Sequence, residues 1–271
     1  MSKISSEISD YYSSGVEEKR LFQNEFQLER IRTQELILRY LGKRKLKILD
    51  VGGGAGFYSF WLRKFGHRVH LIDPVERNLE LARKQEKKEG KLDSIILADA
   101  CNLPFENNTF DVVIMLGPLY HLTLKKERLM ALEEAKRILK KNGKVVAVGI
   151  TRYGSMFEGY FHGALKSKDF IPMMNQDLKD GQHRNKAGRF DYFTTAYFHH
   201  PKELQEEVNK VGFKSSRLFA IESFGWLLPD FKHVWKNMSK RKLLLNTIRK
   251  VESDASLIAL SAHIMAVGIK K

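Results

Sequence analysis

A glycine-rich turn limits the possible folds of this chain more than any other segment. The residues Asp50-Val51-Gly52-Gly53-Gly54-Ala55-Gly56 follow a strand-like apolar run, KLKIL, and precede an amphipathic helix-like run, FYSFWLRKFG. Glycines allow positive φ angles and close approach of a ligand to the backbone, and a helix start offers unpaired N–H groups to a carboxylate or phosphate. The turn therefore predicts a ligand site between a strand and a helix.

The segments around this turn alternate between strand and helix patterns. RVHLIDP is followed by the amphipathic ERNLELARKQEKKEG, and three further β-branched runs are SIILADA, DVVIMLG and KVVAVGI, with ERLMALEEAKRILKKNG as the helix before the last. This spacing is typical of βαβ units, whose parallel strands are covered by helices on both faces. We therefore predict an α/β, Rossmann-like fold.

The length of 271 residues favours one domain, which we divide into four segments. An apolar stripe over about residues 16–42 predicts a helical lid at 1–44. The alternating core spans 45–151, where we expect the cofactor to bind. An aromatic and polar insertion at 152–200 is predicted to cap the substrate, because such segments carry specificity on a rigid sheet. Residues 201–271 are expected to complete the sheet, with a helical insertion.

Charge and composition exclude some classes of protein and leave others open. The excess of 47 Lys and Arg over 32 Asp and Glu gives a net charge of +15, which suits nucleic acid, acidic lipid and small anions alike. A single cysteine, Cys101, excludes an internal disulfide framework and fits a reducing compartment. The polar amino-terminal segment does not resemble a secretory signal, and no run reaches the roughly 20 apolar residues of a membrane span, so we expect a cytoplasmic protein without membrane insertion.

Two aspartates follow neighbouring strands at positions suited to a nucleoside. Asp73 ends the second strand about 20 residues after the turn and is placed to accept both ribose hydroxyl hydrogens. Asp99 ends the third strand and is placed to accept a hydrogen bond from an adenine amine. A helix-capping or turn role is the alternative for each. A dinucleotide-binding turn would have a third glycine where Phe57 stands, which disfavours a nicotinamide oxidoreductase.

Four stretches resemble the successive motifs of class I S-adenosylmethionine-dependent methyltransferases, particularly the branch with small-molecule acceptors. They are ILDVGGGAGFYSFWL, HLIDPVERNLELA, ADACNLPFENNTFDVVIMLGPLYHL and EAKRILKKNGKVVAVGI. The resemblance is strong over residues 45–151 and weak beyond. It implies S-adenosylmethionine as cofactor, S-adenosylhomocysteine as product, and a seven-stranded, mostly parallel sheet whose last strand runs antiparallel. The runs SRLFAIES and SAHIMAVGIKK would supply the final pair.

The same resemblance assigns cofactor contacts to individual residues. It places Asp50 and the glycines Gly52, Gly53, Gly54 and Gly56 along the methionine moiety, Asp73 and Pro74 at the ribose, Asp99 and Ala100 at the base, and Leu116 along the cofactor. One departure concerns the fourth strand, where amino-directed enzymes of DNA have an acidic or asparagine residue, two prolines and an aromatic. This chain has Leu116-Gly117-Pro118-Leu119-Tyr120-His121, so methylation of base amines loses support.

Residues that contact the acceptor are expected near the end of the fourth strand. Tyr120 and His121 are the first candidates for catalysis, with packing roles as the alternative. His199 is a further candidate base because histidine titrates near neutrality, with a surface or helix-start role as the alternative. Tyr12 and Glu222 are candidate substrate contacts, Tyr12 as an aromatic lid and Glu222 facing an acceptor amine. Arg32 is interpreted as a helix-surface residue, with pairing to the methionine carboxylate as the alternative.

Three functions remain open at this stage. The motifs favour transfer of a methyl group from S-adenosylmethionine to oxygen or nitrogen of a small molecule. The basic run from Lys236 to Lys250 leaves an RNA-modifying methyltransferase as the alternative, so a nucleic acid partner is possible but not favoured. A non-catalytic relative or nucleotide oxidoreductase is the third. We expect no metal, because His199 and His200 lack a partner at helical spacing. The sequence leaves the oligomeric state open.

Overall fold

The computed structural model describes residues 6–13, 26–186, 188–189 and 192–271. The amino-terminal part contains two helices, α1 (Ser6–Ser13) and α2 (Gln27–Leu41). The helical stripe expected over about 16–42 is thus present from Gln27 onward, and its residues 16–25 lie outside the described part.

Strands and helices then alternate as the sequence predicts. In chain order they are β1 (Lys47–Val51), α3 (Phe57–Lys64), β2 (Arg68–Asp73), α4 (Glu76–Glu89), β3 (Ser94–Leu97), β4 (Phe110–Met115), α5 (Pro118–His121), α6 (Lys125–Ile138) and β5 (Leu139–Thr151). The remaining elements are α7 (Gly154–His162), α8 (Phe170–Asp180), β6 (Gln182–His183), β7 (Ala196–His199), α9 (Pro201–Lys210), β8 (Lys214–Ala220), α10 (Phe231–Lys236), α11 (Met238–Val251) and β9 (His263–Ile269).

The strands form one mixed sheet in which the parallel part dominates. Its main order is β3-β2-β1-β4-β5-β9-β8, with β1 to β5 parallel to one another. Strand β9 runs antiparallel between β5 and β8, with Lys144 opposite Ile269 and Ile150 opposite His263. The Rossmann-like α/β class is therefore confirmed, and SRLFAIES and SAHIMAVGIKK do supply the antiparallel pair.

Two short strands were not predicted. Strand β7 pairs in parallel with the last two residues of β5, through Ile150 opposite Phe198 and Thr151 opposite His199, and β6 pairs antiparallel with β7. These two strands add to the sheet only at the carboxyl ends of its parallel strands. The division of the chain into four segments stays a prediction.

Two apolar layers cover the sheet. Helices α6 and α9 pack on one face through residues such as Ala131, Leu132 and Leu204. Helices α2, α3 and α4 pack on the other through Ile37, Phe60, Leu79 and neighbouring side chains. Because both faces are buried, the carboxyl edge of the parallel strands is where a ligand can reach the sheet. Within the described residues, no helix combines the length and apolar character needed to cross a bilayer.

Candidate cofactor and acceptor site

The glycine-rich turn leaves space for a ligand at one position and packs tightly at the others. At Gly54, φ is +57° and an added Cβ would meet no atom within 4 Å, so the backbone faces open space. At Gly52, φ is +68° and a Cβ would lie 2.8 Å from Pro118 Cγ. At Gly56, φ is +89° and a Cβ would lie 2.8 Å from Phe60. The glycines thus let the turn bend sharply between β1, α5 and α3.

A cavity of about 410 Å³ opens beside this turn at the carboxyl edge of the sheet. The predicted cofactor contacts that line it are Asp50, Gly52, Gly53, Gly54, Asp73, Pro74, Asp99, Ala100 and Leu116. Gly56 is not among the lining residues, and it precedes the first residue of α3 instead. The cavity therefore brings together residues from the ends of β1, β2, β3 and β4, which lie far apart in the sequence.

Asp50 and Asp73 are buried carboxyl groups with different partners. The Ser59 hydroxyl donates to Asp50 Oδ2 at 2.7 Å, and burial raises the pKa of Asp50 to about 7, with the nearby Asp73 carboxylate adding to the rise. Asp73 accepts from the backbone N–H of Val75 and of Gly54, each at 2.9 Å. Burial raises the pKa of Asp73 as well. Asp73 thereby ties the turn to the start of α4.

Asp99 makes a turn contact and also lines the cavity, and its contact with adenine stays a prediction. Its Oδ1 accepts from the backbone N–H of Cys101 at 2.8 Å, which is a local turn contact. Its side chain also belongs to the cavity wall, next to Ala100. The turn contact therefore holds the Asp99 carboxyl group at the cavity wall.

The amino-terminal helices cover the cavity through Ile8 and Tyr12 of α1 and through Glu29 and Thr33 of α2. The Tyr12 hydroxyl lies 2.7 Å from His121 Nε2, which joins two residues that the sequence analysis had proposed separately. Burial lowers the pKa of His121 to about 4, so its imidazole is neutral near pH 7. A neutral ring with Nδ1–H can accept the Tyr12 hydroxyl hydrogen at Nε2.

The other acceptor candidates take different positions. Tyr120 lines the cavity beside His121. His199 does not line it: the ring is fully buried, with Nε2 3.4 Å from Glu207 Oε2. Glu207 in turn pairs with Arg128 at 2.8 Å. His199 therefore belongs to a buried polar cluster between β7, α6 and α9.

Arg32 is fully buried, so its interpretation as a surface residue was wrong. Its guanidinium donates to the Ile221 carbonyl and pairs with Glu35 and Glu252. Because these protein groups already pair with the Arg32 guanidinium, its burial does not require pairing with the methionine carboxylate. The periodic pattern of α2 could not show that α11 and the following turn cover it.

Glu222 lies behind the cavity wall and contacts it through His263, which the sequence analysis missed. Glu222 Oε1 is 2.6 Å from His263 Nδ1, and Glu222 Oε2 accepts from the Ser261 hydroxyl and the His263 backbone N–H. His263 lines the cavity. Glu29, Glu222 and His263 also bring potential metal-ligand atoms within 4.8 Å of one another, although Glu222 already accepts three hydrogen bonds. The absence of a metal stays a prediction.

The cavity has an acidic wall in a basic protein. Among the described lining residues, five side chains are carboxylic and none is lysine or arginine; the five are Glu29, Asp50, Asp73, Asp99 and Glu127. This contrasts with the net charge of +15 for the whole chain. The wall therefore suits a cationic or neutral ligand and disfavours an anionic one. A sulfonium that also bears an ammonium group fits this wall, and the open backbone at Gly54 leaves room for it.

Comparison with known proteins agrees with this geometry. Residues 49–147 match the family model described as a methyltransferase domain. An uncharacterized protein of Methanocaldococcus jannaschii is 33% identical over 142 residues, which are 50% of this chain and 57% of that protein. The ubiquinone/menaquinone biosynthesis C-methyltransferase UbiE of Neisseria gonorrhoeae is 29% identical over 179 residues, or 64% of this chain and 69% of that enzyme. The alignment with the first relative thus spans less than two thirds of its length.

A solved structure shows the same fold over almost the whole chain. It is a Thermotoga maritima protein described as a SAM-dependent methyltransferase and possible histamine N-methyltransferase, with a TM-score of 0.57 and 21% identity. The match covers 97% of this chain and 99% of that one. The matched domain, the cofactor motifs and the relatives together support a class I S-adenosylmethionine-dependent methyltransferase domain in the part of the chain that they cover.

Proposed function

We propose that this protein transfers a methyl group from S-adenosylmethionine to an oxygen or nitrogen atom of a small acceptor that is neutral or cationic. The observation that carries the proposal is the composition of the cavity wall. The wall contains both the cofactor motifs and the candidate acceptor residues, and none of its described lining residues is lysine or arginine. A volume of about 410 Å³ lies in the range of small-molecule sites. We place the enzyme in the cytoplasm.

The residues of the chain have separable tasks in this proposal. The turn from Gly52 to Gly54 and the carboxylates Asp73 and Asp99 hold the cofactor. When bound, the cofactor supplies a methyl group on a sulfonium that is already an activated leaving group. The protein then mainly has to align the acceptor and exclude water. Tyr12, Tyr120 and His121 are proposed to close the acceptor side, whereas His199 has no part because it is buried away from the cavity.

Carbon is an alternative acceptor atom, because the Neisseria relative is named as a C-methyltransferase of quinone biosynthesis. RNA is the other alternative, supported by exposed lysines such as Lys240 and Lys242 on α11. RNA backbones are anionic, so an acidic wall around the donor opposes entry of a nucleotide acceptor. A small molecule therefore fits the cavity better than RNA does.

Binding of the donor is the first test of this proposal. We expect micromolar affinity for S-adenosylmethionine by calorimetry and at least a hundredfold loss in Asp73→Ala, because Asp73 lines the cavity and fixes Gly54. Asp93→Ala is the matched control, since Asp93 is exposed and pairs only with Arg68 among the ion pairs of the described residues. Folded wild-type protein that does not bind the donor would contradict the proposal.

Identification of the acceptor is the second half of the same test. The protein is incubated with a metabolite extract and S-adenosylmethionine that carries an isotopically labelled methyl group, and compounds that gain the label are identified by mass spectrometry. We expect a neutral or cationic organic compound with a new O-methyl or N-methyl group. Label in RNA alone, or on carbon, would select one of the alternatives.

A further inference from the structure

The cavity wall between α5 and α6 is a short segment without regular secondary structure. Its residues 122–124 all line the cavity. Buried backbone carbonyl groups outside helices and strands need hydrogen-bond donors from elsewhere in the protein. The carbonyls of Leu122 and Thr123 accept from side chains that are not among the described lining residues. The position of this 122–124 segment is therefore set from outside the cavity.

Arg128 of α6 is the main donor to the 122–124 segment. Its Nη1 atom lies 3.0 Å from the Leu122 carbonyl oxygen and 3.1 Å from that of Thr123. Its Nε and Nη2 atoms donate to the Glu207 carboxylate of α9 at 3.0 and 2.8 Å. Its Cζ atom lies 3.7 Å from the centre of the Tyr197 ring. A planar guanidinium bound in this way cannot turn without breaking hydrogen bonds, so Nη1 stays directed at the two carbonyls.

Burial makes the pair of Arg128 and Glu207 a fixed support. Arg128 is 2% exposed and Glu207 is 1% exposed. Burial alone would raise the pKa of Glu207, but hydrogen bonds from His199 and Arg128 lower it, so the carboxylate is ionised at neutral pH. A buried ion pair of this kind is costly to break, because a charge left alone in the interior is poorly solvated. The 122–124 segment is thus attached to a rigid part of the protein.

Gln182 makes a second contact with the same segment. Its Nε2 atom donates to the Thr123 carbonyl at 3.1 Å, so that one oxygen accepts from both Arg128 and Gln182. The Oε1 atom of Gln182 accepts from Arg184. Gln182 begins β6, the short strand that pairs with β7. The 122–124 segment is therefore held both by α6 and by the predicted insertion.

The 122–124 segment adjoins the part of the cavity that the motifs assign to the adenine base. Leu122 packs on the apolar layer that contains Ala100. Near the start of α6, the Glu127 carbonyl oxygen accepts from the Cys101 thiol, whose Sγ atom is 3.4 Å away. Ala100 directly precedes Cys101 and lines the cavity. A shift of the 122–124 segment would therefore change the space beside Ala100.

We propose that Arg128 is a positioning residue for the methyl donor and that Gln182 assists it. Arg128 holds the 122–124 segment at the nucleoside end of the cavity, and its two carbonyl contacts fix the width of that end. Neither side chain is among the described lining residues, so both act through the segment rather than on the ligand. This inference rests on the proposed function, because it takes the donor to be S-adenosylmethionine.

Binding of S-adenosylhomocysteine, measured by calorimetry, is the first test. Arg128→Lys keeps a positive charge beside Glu207, but one ammonium group cannot replace the forked contacts to the carboxylate and both carbonyls, and we expect Kd to rise by about tenfold. Gln182→Glu keeps the side-chain length and the acceptor for Arg184 but removes the donor to Thr123, and we expect a rise of about fivefold. Since both substitutions loosen the same carbonyl, their effects should not be additive in the double variant.

A shorter ligand locates the effect within the cavity. 5′-Methylthioadenosine contains the nucleoside and the sulfur but lacks the amino acid end of the cofactor. Its Kd should rise by the same factor as that of S-adenosylhomocysteine in each variant. In turnover with labelled donor in the metabolite extract, KM for the donor should rise while kcat at saturating donor stays within about twofold of wild type. Loss of folded protein would lower the apparent kcat and leave KM unchanged, so this split separates positioning from a merely structural role.

Arg137 provides a matched control on the same helix. It also bonds a glutamate, Glu134, and two backbone carbonyls, those of Leu103 and Phe105. None of these residues is among the described lining residues of the cavity. Arg137→Lys should therefore leave the Kd of both ligands within about twofold of wild type. Gln182 is only half-buried, so Gln182→Glu keeps the proposal testable if Arg128→Lys does not fold.

Hydrogen exchange of the ligand-free protein tests the support of the segment directly. Peptides that cover residues 122–124 should exchange about threefold faster or more in Arg128→Lys and Gln182→Glu, and at the wild-type rate in Arg137→Lys. Unchanged exchange, unchanged affinity for both ligands, or a loss confined to S-adenosylhomocysteine would overturn the proposal. Folded wild-type protein that binds neither ligand would instead contradict the proposed function, so the two failures are distinguishable.

Discussion

Asp50 links cofactor binding to pH at the scale of a single residue. Burial raises its pKa to about 7, so about half of the unliganded protein carries a proton there at pH 7. A sulfonium and an ammonium group in the cavity favour the carboxylate, and binding should therefore release a proton. Below pH 7 this proton must be removed first, so we expect affinity for S-adenosylmethionine to fall by up to about tenfold per pH unit.

Calorimetry in buffers with different ionisation enthalpies measures the released proton directly. Release should be close to half a proton at pH 7 and should vanish above pH 8.5, where Asp50 is already ionised. Asp50→Asn, which keeps the shape and an acceptor for the Ser59 hydroxyl, should abolish release and flatten the pH dependence. Unchanged proton release in Asp50→Asn would assign the titration to another group.

The sequence revealed residues that follow a motif and missed those that meet across the fold. Asp73 and Asp99 were recognisable as cavity residues because Asp73 ends one strand and Asp99 closely follows the next, downstream of the glycine turn. His263 begins an ordinary apolar strand and Glu29 lies in an ordinary amphipathic helix, so neither carries a local signal. Their proximity depends on β9 inserting between β5 and β8 and on α2 crossing the edge. Glu222 was identified as a candidate substrate contact, but its partner could only come from the structure.

At the scale of elements, α2 is held to the end of α11 by an ionic cluster that is buried at Arg32 and Glu252 and partly exposed elsewhere. Arg32 and Arg39 of α2 both pair with Glu252, and Glu35 pairs with Arg32, Arg39 and Arg249. Burial alone would raise the pKa of Glu35, but these arginines lower it to about 2. Because α2 also carries Glu29 and Thr33, the cluster fixes the part of the cavity wall that this helix supplies.

Glu252→Ala should therefore destabilise the protein strongly. It leaves the fully buried Arg32 with Glu35 as its one carboxylate among the ion pairs of the described part of the chain, and we expect the free energy of unfolding to fall by about 3 kcal/mol. Arg249→Ala removes an exposed partner of Glu35 and should cost less than about 1 kcal/mol. Urea denaturation measures both values. Equal effects of the two substitutions would contradict the view that burial makes this cluster important.

Helices and strands were predicted where the hydrophobic period of the sequence was regular. Short strands that depend on tertiary contacts were missed. The strands β1 to β5 and the antiparallel β8–β9 pair were predicted because each is a β-branched apolar run between turn residues. Strand β7 contains Tyr197 and His199 and is followed by His200, and this segment has no clear hydrophobic period. It forms because β5 extends to Thr151 and offers two residues for pairing. The sequence predicted the end of β5 within one residue, but it contained no sign that a later short segment would pair there.

At the scale of the whole molecule, described lysines are exposed on the outer surface while the described cavity wall is acidic. Lys240 and Lys242 are exposed on α11, and Lys87 and Lys88 are exposed at the end of α4. A surface of this kind attracts polyanions without sequence preference, and that attraction weakens steeply with salt. We therefore expect RNA to bind the outer surface independently of methyl transfer in the cavity.

Charge reversal tests this separation. The double variant Lys240→Glu and Lys242→Glu should weaken retention of bulk RNA in filter assays at 50 mM salt, with a salt dependence lower by about one to two ions. Donor affinity and label transfer in the metabolite extract should stay within about twofold of wild type, because neither lysine lines the cavity. Lys87→Glu with Lys88→Glu makes the same change in net charge elsewhere and shows whether α11 matters locally. A parallel loss of RNA retention and methyl transfer in the α11 variant alone would mean that the acceptor reaches the donor along α11, and it would favour the RNA alternative.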